Sequence, residues 1–422
     1  MTQGRRSHQG IHASIKALVA GMLMIAGARA VAIEAPRTEI NPKPVLADSE
    51  LIEAVGAQVL ATEPVTGVAY ARLTTDQQLK LSHLAHERGS CAGFEALPEV
   101  SDNNLVITDV FGQLASQELR NRRYRPMTSA QNLTANPAIV SGLQQISADQ
   151  IRSHVEFLSR FESRDNRLPN ANEPIEAFKA RIEQILSSTS LPYQVDLISH
   201  SSTGQKSIRV HIPGSQRPNE IVALGGHVDS INQEWFGDRH APGADDNASG
   251  SACLLEALRV FAAQGQQPQR TVEFFWYAGE ESGLLGSAEI AREYRSQNKD
   301  VVGVLQLDMT SFPGAGAGKI ASMSDFTSAW MRSYFVGLNS TYLNAQILDD
   351  RCGYGCSDHA SWHKQGYPAL MPSEAPFRQM NKKLHTTRDV IDQDTSFEHA
   401  AIFSKIALAI AMDLGNSTAR QP

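Results

Sequence analysis

The sequence predicts an α/β protein with a mixed, largely parallel central sheet that is flanked by helices and preceded by a small separate domain. Three apolar runs, residues 221–224, 271–277 and 301–307, have the length and composition of buried strands. They alternate with helical patterns at 251–263 and 284–294. Such an alternation is typical of a sheet that is covered by helices on both faces.

Further patterns extend this domain in both directions. Apolar residues at every second position near 193–197 and 208–212 predict a pair of strands. A capping box that begins at Ser147 predicts the first helix, and an apolar pattern over 397–414 predicts the last one. We therefore expect the α/β domain to occupy residues 131–422.

The first thirty residues resemble an export signal. Residues 1–30 contain four basic and no acidic side chains, with an apolar run at 17–28 and the tripeptide Ala28-Arg29-Ala30. This run is too short to span a bilayer but suits a signal peptide that is cleaved after small residues. We expect a secreted protein, extracellular or periplasmic; an uncleaved membrane anchor is the alternative.

Residues 31–130 are interpreted as a propeptide and linker. They contain a helix predicted from a Thr75-x-x-Gln78 capping box, but no catalytic constellation. An arginine-rich stretch from Arg120 leads into polar residues, which is typical of an exposed linker, although an ordinary surface loop has the same composition. We expect the propeptide to assist folding or block the cleft, and cleavage to fall between Arg120 and Ser147.

The charge balance limits the possible partners. The net charge is −7, and loss of residues 1–30 leaves 34 basic against 45 acidic side chains, a net charge of −11. Nucleic acids and anionic membranes require a basic surface. We therefore expect no nucleic-acid partner and no stable membrane association, and we expect a monomer.

Metal-binding side chains follow three consecutive predicted strands. His227 and Asp229 follow the first strand, Glu280 and Glu281 the second, and Asp308 the third. Ligands of open α/β sheets gather at the carboxyl ends of the strands, so these side chains should lie close together. Because a buried carboxylate without a partner is costly, the pattern predicts a metal site.

The number of ligands favours two metal ions. The loop 241–250 adds Asp245 and Asp246, so the acids and histidines exceed the three protein ligands that one catalytic zinc needs. One aspartate can bridge two ions, and a water between them becomes a nucleophile. Of Glu280 and Glu281, one can bind metal while the other accepts the proton of that water. A solvated acidic turn is the alternative for this pair.

Five motifs in one order resemble those of the secreted bacterial leucyl aminopeptidases, which are co-catalytic dizinc exopeptidases. The motifs are Gly-Gly-His227-Val-Asp229-Ser, Ala-Pro-Gly-Ala-Asp245-Asp246-Asn-Ala-Ser-Gly, Tyr-Ala-Gly-Glu280-Glu281-Ser-Gly-Leu, Leu-Asp308-Met-Thr and Leu-His385-Thr-Thr. The resemblance implies the zinc exopeptidase fold, two zinc ions per chain, and removal of N-terminal, preferably apolar (leucine-like), residues from peptides.

The resemblance also implies a role for each matched residue. One zinc would be bound by His227, Asp245 and Asp308, and the other by Asp245, Glu281 and His385, with Asp245 bridging the two ions.

Two further residues would act beside the ions. Glu280 would be the general base, and Asp229 would accept the second ring N–H of His227. A cis peptide bond between Asp245 and Asp246 is also implied.

A short loop near residue 354 contains two cysteines. Cys352 and Cys356 lie four residues apart, and in an oxidising compartment a disulfide is favoured over two free thiols. By the resemblance, Tyr354 within this loop would donate a hydrogen bond to the developing oxyanion; a surface tyrosine is the alternative.

Apolar residues beside the motifs could form the substrate pocket. They are Met309, Met371, Phe377 and Leu384, and core packing is the competing interpretation.

Three rival functions follow from related proteins. The first is an exopeptidase that removes C-terminal acidic residues. The second is a glutaminyl cyclase. The third is a non-catalytic, receptor-like ectodomain, which would have lost ligands that this sequence retains.

Overall fold

The molecule is described here by a computed structural model, which covers residues 42–87, 93–97, 103–123, 133–234 and 239–420. These residues all belong to one unit of the chain, 40–422. The expected signal peptide, residues 1–30, lies outside the described residues. So does most of the expected linker, at 124–132.

Residues 42–123, here called the N-terminal segment, form a four-stranded antiparallel sheet with the order β2-β3-β1-β4. Its elements are β1 Lys43–Asp48, α1 Ser49–Ala54, β2 Ala61–Thr62, β3 Val68–Leu73, α2 Thr75–Glu87, β4 Phe94–Ala96 and α3 Asn103–Arg123. Apolar side chains of β1, β3, α1 and α2 pack together as a small core of its own. The segment therefore has a small core of its own within the same unit of the chain as the α/β domain.

Two details of this segment differ from the sequence-based expectation. The capping box of α2 lies one residue earlier, because Gln77 N donates to Thr74 Oγ1 at 3.2 Å and Thr74 N donates to Gln77 Oε1 at 3.0 Å. The helix α3 was not predicted, and it includes Arg120 and ends at Arg123. The arginine-rich stretch therefore begins in a helix rather than in a linker.

The remaining chain forms the α/β domain. Its elements are α4 Pro137–Leu143, α5 Ala148–Ser159, α6 Glu173–Leu186, β5 Gln194–Ile198, β6 Ser207–Ile212, β7 Arg217–His227, α7 Gly250–Ala263, β8 Arg270–Tyr277, α8 Leu285–Ser296, β9 Asp300–Gln306, β10 Lys319–Met323, α9 Ala329–Tyr342, β11 Gln346–Asp350, α10 His359–Lys364, β12 Ala369–Leu370, β13 Pro372–Ser373 and α11 Phe397–Asn416.

The predicted mixed sheet is confirmed. Six strands lie in the order β12-β9-β7-β8-β6-β5. Strands β12, β9, β7 and β8 are parallel, whereas β6 and β5 pair antiparallel at the other edge. Strands β11, β10 and β13 form a separate, smaller sheet, which the sequence reasoning missed.

Helices supply the main hydrophobic core against the central sheet. The predicted cap of α5 is present, since Ser147 Oγ accepts the N–H of Gln150 at 3.3 Å. The apolar face of α6 is buried through Phe178 and Ile182, and α7 and α11 are almost entirely buried. Within the described residues, no helix combines the length and the apolar composition that crossing a membrane requires.

Candidate metal centre

The carboxyl ends of three neighbouring parallel strands converge at the candidate site. His227 is the last residue of β7, while Glu280 and Glu281 follow β8, and Asp308 follows β9. Strand β7 lies between β8 and β9, so the three strand ends are adjacent. The sequence-based prediction that these side chains meet at one edge is confirmed by the geometry.

Asp246 lies at the centre of the site. Its Oδ1 is 3.1 Å from His227 Nε2, and its Oδ2 is 2.9 Å from His385 Nε2. Asp308 Oδ1 lies 3.1 Å from the same His227 nitrogen, and Glu281 Oε2 lies 3.0 Å from that of His385. One carboxylate thus faces two separate pairs of metal-type ligands.

The expectation for Asp245 is corrected by this geometry. Asp245 Oδ1 accepts hydrogen bonds from the backbone and hydroxyl of Ser311 at 3.0 and 2.7 Å, and its Oδ2 accepts one from Asn381 at 3.0 Å. The backbone at Asp246 is extended, so consecutive side chains point to different sides. The cis peptide bond joins Asp246 to Asn247, also one residue later than expected.

Three overlapping groups of side chains could bind metal ions. Within each group the ligand atoms lie within 4.8 Å of one another, and all the residues are buried. The groups are His227, Asp246 and Asp308; Asp246, Glu281 and His385; and His227, Glu280 and Glu281.

Two buried carboxylate oxygens without hydrogen-bond partners in the described part of the chain indicate that divalent cations fit this site. Glu280 Oε1 and Glu281 Oε1 are buried and have no hydrogen-bond partner among the described residues. A buried carboxylate lowers the stability of the folded protein unless a cation neutralises its charge. Imidazole and carboxylate ligands in this number are typical of zinc, so the residues present fit that metal.

The crowded charges shift the pKa values of the site. Burial raises the pKa of Glu281 to about 7, against the opposing effect of His385. Burial also raises the pKa of Glu280 well above its usual value, with His227 acting in the opposite direction. For His227, burial is outweighed by the nearby carboxylates, first that of Asp308, so its pKa is raised. Divalent cations would reverse this balance by favouring the deprotonated ligands.

Asp229 connects two parts of the site. His227 Nδ1 lies 3.2 Å from the backbone oxygen of Asp229, its hydrogen-bond partner, and 3.4 Å from Oδ1 of the carboxylate that was expected to be the acceptor. The Asp229 carboxylate also accepts the backbone N–H groups of Glu280 at 3.1 Å and Glu281 at 3.2 Å. The residue therefore fixes the turn Glu280–Ser282 as well as the imidazole.

The disulfide loop lies beside the apolar residues that were expected to line a pocket. Cys352 and Cys356 are joined, with a Cα–Cα distance of 6.1 Å, which confirms the predicted disulfide. Tyr354 is buried, which excludes the alternative of a surface tyrosine. It belongs to one apolar cluster that includes all four expected residues, Met309, Met371, Phe377 and Leu384.

Two buried residues that position the ligand loops were missed by sequence reasoning. Asp389 accepts the backbone N–H groups of Asp245 and Asp246 at 2.9 and 3.0 Å. Arg164 donates to the backbone oxygens of Val228, at 2.8 Å, and Gly243, at 2.9 Å, and so links the loops after His227 and before Asp245. For Asp389, the only sequence feature that could have indicated this role is its position four residues after His385, which is weak evidence.

This chain is similar to known proteins in both sequence and fold. The family model of peptidase family M28 matches residues 207–411. Leucine aminopeptidase 1 of Aspergillus oryzae is 36% identical over 313 residues, covering 66% of this chain and 80% of that protein. A protein of Saccharomyces cerevisiae described as a probable aminopeptidase is 35% identical over 268 residues, covering 62% and 71%.

A solved structure extends the likeness to the N-terminal segment. The LapA aminopeptidase of Legionella pneumophila is similar with a TM-score of 0.75 and 25% identity, over 89% of this chain and 99% of that chain. Residues 131–422 are 292 of 422 residues, or 69%, so the match includes much of the N-terminal segment. The family match, the curated relatives and the strand-end ligands agree: the chain belongs to peptidase family M28 and is a hydrolase of the zinc-dependent aminopeptidase class.

Proposed function

We propose that the protein is an exported enzyme that removes N-terminal, preferably apolar, leucine-like residues from peptides, using two zinc ions and Glu280 as the general base. The observation that carries this proposal is the orientation of Asp246. Its two oxygens face His227 and His385 separately, at 3.1 and 2.9 Å, which is the arrangement that a bridging ligand requires.

The ligands divide into two sets around Asp246. His227 and Asp308 would complete one zinc site, and Glu281 and His385 the other. When bound, the two ions would polarise the scissile carbonyl and lower the pKa of a water molecule between them.

Glu280 is the residue best placed to move the proton. It shares one possible ligand group with Glu281 and His227, but only Glu281 also belongs to the group that contains His385. Glu280 Oε1 has no hydrogen-bond partner among the described residues. Asp229 orients the backbone of both glutamates. Glu280 would accept the proton of the attacking water and deliver it to the leaving amine.

The apolar cluster supports a preference for apolar N-terminal residues. Met309, Met371, Phe377 and Leu384 lie with Tyr354 in one cluster, and Met309 directly follows Asp308. A pocket of this composition would accept a leucine-like side chain. Tyr354 would donate its hydroxyl proton in a hydrogen bond to the oxygen that becomes negative in the transition state.

Export and processing complete the proposal. The Cys352–Cys356 disulfide is compatible with an oxidising compartment, and residues 1–30 have the composition of a signal peptide. The N-terminal segment would be a propeptide that assists folding or limits access to the cleft. Its α2 lies near the His385 loop, since Gln233 donates to Ser82 Oγ at 2.6 Å and to the His385 backbone oxygen at 2.9 Å.

Kinetics on a panel of aminoacyl p-nitroanilides, combined with zinc counting by elemental analysis, tests the function. We expect the highest kcat/KM for leucine and similar residues, two zinc ions per chain, and recovery by zinc of activity lost to a chelator. Full activity with one tightly bound metal ion would contradict the two-zinc proposal. Preferential cleavage of C-terminal acidic residues, or cyclisation of N-terminal glutamine, would favour the rival enzymes.

A further inference from the structure

The N-terminal segment contacts the α/β domain directly beside the turn that contains Glu280 and Glu281. The backbone N–H of Ala96, in β4, donates to the backbone oxygen of Gly283 at 3.0 Å. The approach is so close that a methyl group added at Gly283 would lie 2.8 Å from Ala96 N. Strand β4 therefore packs against Gly283, the residue that ends the Glu280–Ser282 turn.

The neighbouring residue of β4 forms a buried ion pair with the α/β domain. Glu95 pairs with Lys364 of α10, and only 6% and 4% of their side chains are exposed. Burial lowers the pKa of Lys364 to about 7. Lys364 Nζ also lies 5.1 Å from the centre of the Phe326 ring.

This ion pair lies against the loop that contains Tyr354. A methyl group added at Gly355 would be 3.1 Å from Lys364 Nζ and 3.8 Å from Glu95 Oε2. Gly355 directly follows Tyr354 in the disulfide loop. Both charged groups therefore lie close to the backbone next to Tyr354.

Further hydrogen bonds and apolar contacts join the segment to the α/β domain. Asn121 donates to the backbone oxygen of Thr327 at 2.8 Å and accepts the N–H of Ala329 at 3.0 Å. One apolar cluster joins the two parts; its buried members are Leu46, Val68, Tyr70, Ile107 and Leu114 from the segment and Leu284, Phe326 and Ala360 from the domain. Leu284 follows Gly283, so this cluster also packs next to the Glu280–Ser282 turn.

We propose that Glu95 and Lys364 are positioning residues of the aminopeptidase, and that the N-terminal segment stays bound to the processed enzyme to position the Glu280 turn and the Tyr354 loop. The inference rests on the proposed roles of Glu280 and Tyr354. The ligand groups are already assembled, within 4.8 Å, while the segment is in place. Displacements of about 1 Å near a reacting group can lower rates about 100-fold, so support of these loops has catalytic consequences.

Variants of the ion pair in the full chain test the positioning role. We expect Glu95→Gln and Lys364→Met each to lower kcat by about 10-fold with KM changed less than about 2-fold, because the loops move without loss of the substrate pocket. Zinc content should stay the same, while amide hydrogen exchange should accelerate at 352–356 and 280–283. The double variant leaves no unpaired charge and should recover part of kcat.

A matched control uses an ion pair of the same segment that is exposed. Lys80 and Asp76 pair on the surface of α2, with 55% and 54% of their side chains exposed, so Asp76→Asn should leave kcat and exchange unchanged. Equal effects of Asp76→Asn and Glu95→Gln would overturn the positioning role. So would a Glu95→Gln variant with wild-type kcat and wild-type exchange at both loops.

Cleavage of the folded full chain tests whether the segment stays bound. With a specific protease site placed within 124–132, we expect the cut segment to co-elute with the α/β domain in size-exclusion chromatography and kcat to be retained. Separation of the segment with unchanged or increased kcat would overturn the proposal. Co-elution and hydrogen exchange do not depend on turnover, so an inactive wild-type protein would count against the proposed function and not against this inference.

Discussion

Asp245 and Asp246 are adjacent and chemically identical, yet their carboxylates contact different groups. Asp245 accepts hydrogen bonds from Ser311 at 2.7 and 3.0 Å, whereas Asp246 faces His227 at 3.1 Å and His385 at 2.9 Å. The proposed bridging role therefore belongs to Asp246 alone, and Asp245 shapes the loop that presents it.

Isosteric substitution of each aspartate separates these two roles. Asp246→Asn removes a ligand from both ions, so we expect loss of both zinc ions and of activity. Asp245→Asn keeps its size and should weaken zinc binding by no more than the ~10–100-fold typical of residues that support a ligand. Elemental analysis and chelator competition measure both effects. Equal zinc loss in the two variants would show that the bridging assignment is wrong.

Glu280 and Glu281 offer a second adjacent and identical pair. If Glu280 only moves the proton, Glu280→Gln should retain both zinc ions and lower kcat by at least the ~10²–10⁴-fold typical of losing a general acid–base. Glu281→Gln removes a ligand, so one zinc should bind more weakly and excess zinc should restore part of the activity. Added zinc should not rescue the Glu280 variant. The same zinc content and the same rescue in both would refute the assignment.

The sequence predicted the edge of the sheet where the site lies, because buried strands are recognisable and their carboxyl ends must meet. It did not distinguish Asp245 from Asp246, since spacing carries no information on which side chain a loop turns inward. Residues such as Arg164 were missed for a related reason. Its partners are backbone oxygens at 228 and 243, and contacts between distant parts of the chain leave no local pattern.

The same limit applies to the N-terminal segment. Its capping box was found to within one residue, at Thr74 rather than Thr75, because capping is local. The pairing of Glu95 with Lys364 joins residues far apart in the sequence, and neither residue belongs to a motif. Local patterns predicted elements, and the tertiary contacts that join the two parts of the molecule required the structure.

If the protein is exported and processed as proposed, sequencing of its N-termini should show the cleavage site. We expect cleavage between Arg120 and Ser147, outside the helices α3, which continues to Arg123, and α4, which spans Pro137–Leu143. Sequencing of the secreted, active protein should give an N-terminus in this interval. If the N-terminal segment stays bound, its own N-terminus should be found in the same sample. Secreted, fully active protein that starts only at Val31 would contradict the propeptide assignment.

Arg164 should contribute strongly to stability. Its side chain is fully buried and donates to the backbone oxygens of Val228, Gly243, Leu158 and Pro242. Arg164→Met removes a donor from the Val228 and Pro242 oxygens, whereas those of Gly243 and Leu158 still accept backbone N–H groups. Each unsatisfied buried group costs about 1–3 kcal/mol. We therefore expect the free energy of unfolding, measured by urea denaturation of the metal-free protein, to fall by at least ~2 kcal/mol.

A neighbouring arginine provides the control for this prediction. Arg167 pairs with Asp165 near the surface, where 41% of the Arg167 side chain is exposed. Exposed pairs contribute only about 0–1 kcal/mol, so Arg167→Met should change the free energy of unfolding by less than ~1 kcal/mol. Because Arg164 connects the loop after His227 to the loop before Asp245, its loss should also weaken zinc binding, which elemental analysis would detect. If Arg164→Met had the stability and zinc content of Arg167→Met, the loops would have to be positioned by other contacts, such as those of Asp389 with the backbone of Asp245 and Asp246.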